Sequence, residues 1–249
     1  MKPILRNLVK ICVPIAVYIL VWKLLSMLVD SSLLLPSPKT VFSACVQILS
    51  SSAGWKTIGA SLLRILSGYL LGCLFGVLLA VLTARFKTLN WMLSPLRSLI
   101  KTTPITSFAL ILLISVVSNV VPVLVAMIVV IPMIWKTTEE AILGLDPQLD
   151  EMANVYFRPF KKMYYVELPQ ILPHFFAAAS TALGFAWKAV ITAEILSLPK
   201  LGIGRQMQND KLYLDIPELF AWTLLVILFS VCVEALLKLA LKRAGRRTL

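Results

Sequence analysis

Apolar residues fall in long blocks separated by short polar stretches, not in the alternations of a half-buried sheet. Four blocks, Leu8 to Leu28, Ile65 to Ala84, Phe175 to Leu196 and Leu219 to Leu241, each reach the roughly 20 residues that a bilayer core requires. Two shorter ones, Pro104 to Val117 and Val120 to Trp135, are joined only by Ser118 and Asn119. They form either two spans or a re-entrant hairpin, and both readings leave the two termini on one side. A backbone in lipid must satisfy its own hydrogen bonds, and the blocks lack the alternation of barrel strands. The pattern therefore predicts an all-α integral membrane protein with about six transmembrane helices.

The stretches between blocks differ in character. Residues 30–57 and 197–217 are too short for domains. In the first, Leu35-Pro36-Ser37-Pro38 turns the backbone away from helix, and Val41 to Leu49 follows as a short amphipathic helix along the membrane surface. The longest stretch, 136–173, carries its own signals. Asp146 is an N-cap with Pro147 at the first helical position, and Leu149, Met152, Ala153 and Tyr156 recur at i, i+3, i+4 and i+7. Arg158-Pro159 interrupts this helix. Phe160, Met163, Tyr164 and Leu168 form a second apolar set that Pro169 is expected to stop.

Composition agrees: 59% of residues are hydrophobic and 14% charged, against about a quarter charged in soluble domains. The net charge of +12 raises nucleic acid as a partner, but the basic residues lie mostly between the blocks and the tryptophans sit at block ends or inside blocks, as interfacial anchors do. Placing the N-terminus in the cytoplasm puts sixteen basic residues inside and six outside, so both termini and the 136–173 loop are assigned to the cytoplasm. Lys2, Arg6 and Lys10 precede a long apolar run with no A-x-A site after it, which reads as a retained first helix.

Candidate chemistry is sparse. Cysteines 12, 45, 73 and 232 have no CxxC spacing, which gives neither a disulfide framework nor a zinc site. His174 is the only histidine, so HExxH chemistry is absent, and it reads as an interfacial residue beside Pro173. No GxSxG or GxxxxGK(S/T) occurs, so no catalytic residue, metal ligand or bound cofactor is assigned and the chain has no means of hydrolysing ATP. A membrane-embedded enzyme would need a nucleophile with a base or a carboxylate metal site, which the few buried ionisable residues do not supply. A scaffold without ATP coupling is the other competing class. Gly68, Gly72 and Gly76 form a small-residue face for close helix packing, with Ala178, Ala182 and Ala186 as a second. Lys188 and Glu194 lie within one block, about 120° apart around a helix, too far round to pair with each other. Either Glu194 reaches the outer interface and Lys188 snorkels or meets a neighbouring subunit, or the two mark a translocation pathway on which Lys188 favours an anion.

In the 136–173 loop, Glu151-Met152-Ala153 followed by Val166-Glu167-Leu168-Pro169 resembles the EAA loop of bacterial ABC importer permeases. Met152 replaces the first alanine, Phe157 stands at the glycine position, and the spacer is one residue short. Leu35-Pro36-Ser37-Pro38, Ser61-x-x-Arg64 to Gly68, and Pro95 to Pro104 extend the resemblance to the nitrate/sulfonate/taurine branch over nearly the whole chain. The resemblance implies a type I importer permease fold. It divides the chain into an N-terminal helix and outer-surface segment (1–57), a permease domain with its coupling loop (58–243) and a basic cytoplasmic tail (244–249). It further implies a multi-pass protein of the bacterial inner membrane that pairs with a second permease subunit as a homodimer. Two ATPase subunits that use ATP and Mg, and an extracytoplasmic substrate-binding protein, complete the expected assembly. Glu151 and Ala153 would contact the ATPase together with Leu149, Met152 and Tyr156, while Leu168 and Pro169 hold the loop against the bundle. The substrate implied is a small anion such as a sulfonate, taurine or nitrate; the alternative is a thiamine precursor or other vitamin.

Overall fold

A computed structural model describes the backbone of residues 2–29, 31 and 33–245, and the side chains of 13, 14, 16–29, 31 and 33–239. The side chains of Lys2, Arg6, Lys10, Lys242, Arg243, Arg246 and Arg247, and the tail residues 246–249, lie outside this set. The elements are helical throughout: α1 Lys2–Val29, α2 Pro38–Ser50, α3 Ser52–Arg85, α4 Lys87–Thr102, α5 Ile105–Ser115, α6 Val121–Leu143, α7 Pro147–Tyr156, α8 Pro159–Lys162, a π-helical turn Met163–Glu167, α9 Leu168–Ser197, α10 Ile203–Tyr213 and α11 Ile216–Gly245.

Among the described residues, α3, α6, the run Pro159–Ser197 and Ile216–Leu239 are long and apolar enough to cross a membrane. The pair α4 and α5, bent by 101°, makes a fifth if read as one span, and the described apolar part of α1 is the shorter Ala16–Val29. The two short blocks resolve unequally. The 11-residue α5 is about 16 Å long at 1.5 Å per residue, roughly half a bilayer core, whereas the 23 residues of α6 suffice.

Proline does not stop the helix at Pro169, contrary to expectation. Pro169 sits in the first turn of α9, where no N–H is needed, and the preceding π-turn closes with Leu168 N–H donating to the Met163 carbonyl, five residues back. The end of the 136–173 stretch and the following span are thus one 39-residue helical run, Pro159–Ser197.

The chain forms two compact units. One comprises residues 59–205 and 229–249. Its core is α6 against α9, where Ala178, Ala182, Ala186, Ala189 and Ala193 bury a small-residue face. Val121, Val125, Ala189 and Ala193 join Ala109 of α5 in the same cluster. The α3 glycines make the close approach their spacing predicts. A β-carbon on Gly68 would lie 2.6 Å from that of Ala126, on Gly72 2.6 Å from that of Val130, and on Gly76 2.8 Å from that of Ile134. Gly72→Leu should therefore separate α3 from α6 and destabilise this unit by about 1–3 kcal/mol or more. Gly184→Ala, with nothing within 4 Å, should be neutral or better. The fraction of monodisperse chain surviving a heat step reads both.

The other unit comprises residues 1–58 and 206–228. Ser37 caps α2 by accepting from Thr40 N–H, Pro38 opens the helix, and Val41, Ala44 and Ile48 form its buried face, as the 41–49 pattern predicts. Trp22 stacks on Phe220 at 6.2 Å, and Cys45 Sγ reaches the Ala221 carbonyl. Asp210 of α10 is buried with Oδ2 unpaired. Burial, reinforced by the carboxylates of Glu218 and Asp215, pushes its carboxyl up to about 7 from 3.8. The folded chain then holds a proton that the unfolded chain releases between about pH 4 and about pH 7, so this group's contribution falls as pH rises through that window. Asp210→Asn should flatten that slope in the unfolding midpoint measured at about pH 5 and about pH 8.

Candidate functional site: a projecting helix, two buried ion pairs and an open stripe

The 147–156 helix forms as its sequence predicts. Asp146 accepts from Gln148 N–H at 2.9 Å, Pro147 opens the first turn, and Phe157 N–H closes on the Ala153 carbonyl. Its apolar residues do not share one open face. Ala153 is fully buried within the chain, whereas Leu149, Met152 and Tyr156 are exposed, as is Val155 at 80%. Ala153 therefore has no surface to offer a partner, because it turns inward, while Val155, outside the expected set, is open. Glu151 is exposed beside them, and Leu168 and Pro169 are half-buried at the start of α9.

What fixes the projection of α7 is Lys162. Its ammonium lies 2.6 Å from Asp150, donates to Asn154 Oδ1 at 2.8 Å, and stands 3.7 Å from Glu167. Phe157, where the EAA pattern has glycine, stacks on Tyr165 at 6.1 Å. Three acceptors from two segments around one lysine, with an aromatic pair beside them, make a fastened corner of what the sequence presents as a helix-turn-helix. One further clasp joins this corner to the bundle: Gln170 accepts from Asp146 N–H and donates to the Val166 carbonyl.

Where α6 approaches α7, Arg97 is not a loop cation. It is buried in α4, pairs with Glu139 and lies 4.8 Å over the Trp135 ring, whose Nε1 donates to Thr83 at 2.8 Å. Three helices, α3, α4 and α6, are joined through this cluster.

A second cluster lies at the opposite end of α6. Glu194 is fully buried and bonded to Arg64 Nη1 at 2.8 Å, to Ser61 Oγ at 2.8 Å and to Gly204 N–H at 3.0 Å. Arg64 also donates to the Leu201 carbonyl at 2.6 Å and to the Asn119 carbonyl at 3.3 Å; Ser61 accepts from Ile203 N–H at 2.8 Å. The loop 198–204 therefore closes over the carboxylate. A β-carbon at Gly202 or Gly204 would come within 2.8 Å of Glu194 atoms, so both glycines are required for that approach. Leu198 at φ 46° starts the loop in the left-handed region that a leucine rarely adopts. Glu194 thus neither reaches an interface nor faces an open path. Spacing three residues apart places Ser61 and Arg64 on one face of α3, which gives that motif its chemistry.

Lys188 stands apart from Glu194, as the helical geometry requires. On α9 the face opposite the buried alanines carries Ala177, Thr181, Phe185 and Lys188, all exposed, with Thr192 half-buried. The Lys188 ammonium lies 5.7 Å from the Phe185 ring centre, and it forms no ion pair among the described residues. Neither does the described set contain a group of three or more His, Cys, Asp or Glu residues able to hold a metal.

Residues 68–246 match the family described as binding-protein-dependent transport system inner membrane component. A Bacillus subtilis permease named for aliphatic sulfonates transport (SsuC) is 26% identical over 87% of this chain and 78% of its own length. The nitrate import permease protein NrtB of Synechococcus elongatus is 27% identical over 79% of this chain and 73% of its own length. The bicarbonate transport system permease protein CmpB of the same species is 28% identical over 60% of this chain, which spans only 54% of that relative. In structure, a chain of the inward-facing MetNI methionine ABC transporter superposes with a TM-score of 0.56 at 19% identity, covering 78% of this chain and 94% of the other; the two share a fold.

Proposed function

The chain belongs to the binding-protein-dependent transport system inner membrane component family, a family of multi-pass transport permeases, and from that membership we propose that it is the membrane subunit of an ATP-driven importer of small anions. The observation that carries this reading is α7: a capped helix outside the crossing helices, held by Lys162, with Met152, Val155 and Tyr156 exposed around Glu151. An apolar helix face so fixed is a surface for another protein. The partner is a separate ATPase, which supplies the ATP and Mg chemistry, and the side bearing α7 is the cytoplasmic one, with both termini. A second permease subunit, taken as an identical copy, completes the pathway, and an extracytoplasmic binding protein delivers the substrate.

In mechanism, movement of the ATPase displaces α7. The fastened corner passes it to the continuous run Pro159–Ser197, and the Arg97–Glu139 pair carries it from α6 to α4. The names of the relatives, sulfonates, nitrate and bicarbonate, favour an anion over a vitamin, and the unpaired Lys188 on the open face of α9 fits that choice. Vesicles reconstituted with this chain, its cognate ATPase and its binding protein should take up one of ethanesulfonate, taurine, nitrate or bicarbonate only with ATP inside. ATP-independent uptake, or uptake of thiamine precursors alone, would contradict it.

A further inference from the structure

The turn between α10 and α11 carries open apolar side chains outside the membrane-crossing helices. Helix α10 begins in the loop 198–204, at the end of α9 away from α7, so on the importer reading it is extracytoplasmic. At its far end Leu212, Tyr213 and Leu214 are 68%, 84% and 62% exposed, just before the apolar stretch Ile216–Leu239. Leu214, at φ 59°, takes the left-handed position after a helix that glycine usually fills. Asp215 N–H donates to the Asp210 carbonyl at 2.8 Å and fixes the turn. The chain thus holds a leucine in an unfavourable conformation and leaves its side chain open.

Carboxylates surround this turn. Asp215 Oδ1 caps α11 by accepting from Glu218 N–H at 3.3 Å. Asp210, five residues earlier, is buried with Oδ2 unpaired, and the charges of Glu218 and Asp215 both act on it. Among the described residues none of the three forms an ion pair, and the adjacent Lys211 pairs with none of them. Glu218 also lines a cavity of about 220 Å³, together with Gln47, Ser51, Thr57, Gln206 and Trp222. All of these belong to one compact unit, and the space is large enough for the end of a long side chain. Its polar groups are neutral or acidic, so it suits a cation.

We propose that the α10–α11 turn is a docking surface for a protein that offers an arginine or lysine beside an apolar patch. The cation enters the cavity against Glu218, and Tyr213 and Leu214 meet the patch. Charge decides between protein and lipid here, because bilayer phosphates carry the same sign as the carboxylates and are repelled by them. A tyrosine covered on binding, next to a desolvated charge pair, is the arrangement in which interface energy concentrates. The identity of the partner rests on the importer reading: on this side of the membrane it is the extracytoplasmic binding protein.

The test titrates the cognate binding protein onto the full transporter, this chain with its ATPase, held in lipid nanodiscs at low and at physiological salt. Glu218→Lys and Tyr213→Ser should each weaken binding by about tenfold or more, the scale of losing a central interface contact. Glu218→Asp should keep most of the affinity, and added salt should weaken the parent more than Glu218→Gln. Tyr213 is the most open of these side chains, so Tyr213→Ser tests the surface even where Glu218→Lys fails to fold. Unchanged affinity in Tyr213→Ser, or in a Glu218→Lys chain that folds, would overturn the surface. So would lipid contact reported by an environment-sensitive dye at Tyr213→Cys in nanodiscs without binding protein, with Cys12, Cys45, Cys73 and Cys232 replaced by alanine. A parent chain that takes up no binding protein contradicts the importer reading and the surface together; a parent that binds it as tightly as its variants contradicts the surface alone.

Discussion

Arg64→Met should destabilise the chain by about 3–5 kcal/mol, the typical consequence of removing one partner from a buried ion pair. Glu194 has no exposure, and its carboxylate would keep only Ser61 and Gly204 N–H as partners. Arg64 also holds the Leu201 and Asn119 carbonyls, so the loop 198–204 and the α5–α6 turn lose their common anchor. Arg64→Lys should recover part of the loss, because a lysine keeps the charge but not the planar fork that serves several acceptors at once. Combining Arg64→Met with Glu194→Met should lose less than the sum of the two single changes, since the unpaired charge is gone. The amount of folded chain after heating in detergent reads all four. An Arg64→Met chain as heat-resistant as the parent would show that the pair contributes nothing.

Met152→Asp or Val155→Asp should leave the chain folded and weaken ATPase association by about 2–4 kcal/mol, roughly thirtyfold to a thousandfold, the range of interface hot spots. Both side chains are open, at 47% and 80%, so an aspartate there buries nothing within the chain. Ala153→Asp should behave differently. That residue is fully buried, and a carboxylate in its place has no water, so the folded chain itself should become scarce. Copurification with the ATPase, normalised to the recovered permease, distinguishes lost docking from lost folding. Equal ATPase recovery with Met152→Asp, Val155→Asp and the parent would remove the docking face.

The sequence carries the helices well because membrane spans are set by local composition. The blocks at 65–84, 120–135 and 219–241 all lie in long apolar helices, and Asp146-Pro147 marks the start of α7 to the residue. Glycine spacing likewise marks the packing face of α3, since glycines four residues apart lie on one side of the helix, although the partner, α6, is known only from the fold. What was not legible depends on residues distant in the chain. Glu194 lies 130 residues from Arg64, and no periodicity joins them. Arg97 counts as a cytoplasmic cation until α4 folds it against Glu139 and Trp135. Pro169 reads as a stop because the π-turn that absorbs its missing donor has no sequence signature of its own. Ala153 shares the helical stripe with Met152 and Tyr156, and only the tertiary contact of α7 decides which side of that stripe is covered.

A helix docked on a separate ATPase lies within crosslinking distance of it. A photoreactive side chain introduced at position 155 or 156, in cells expressing the chain with its cognate ATPase, should yield on illumination an adduct of permease and ATPase, because Val155 and Tyr156 are the most exposed large apolar residues of α7. The same group at position 114 of α5, where Ile114 is exposed within the apolar bundle, should not. Adducts with the ATPase from 155 and 156 alone are the predicted result; no such adduct from either position, with both proteins present in the membrane, would contradict the account.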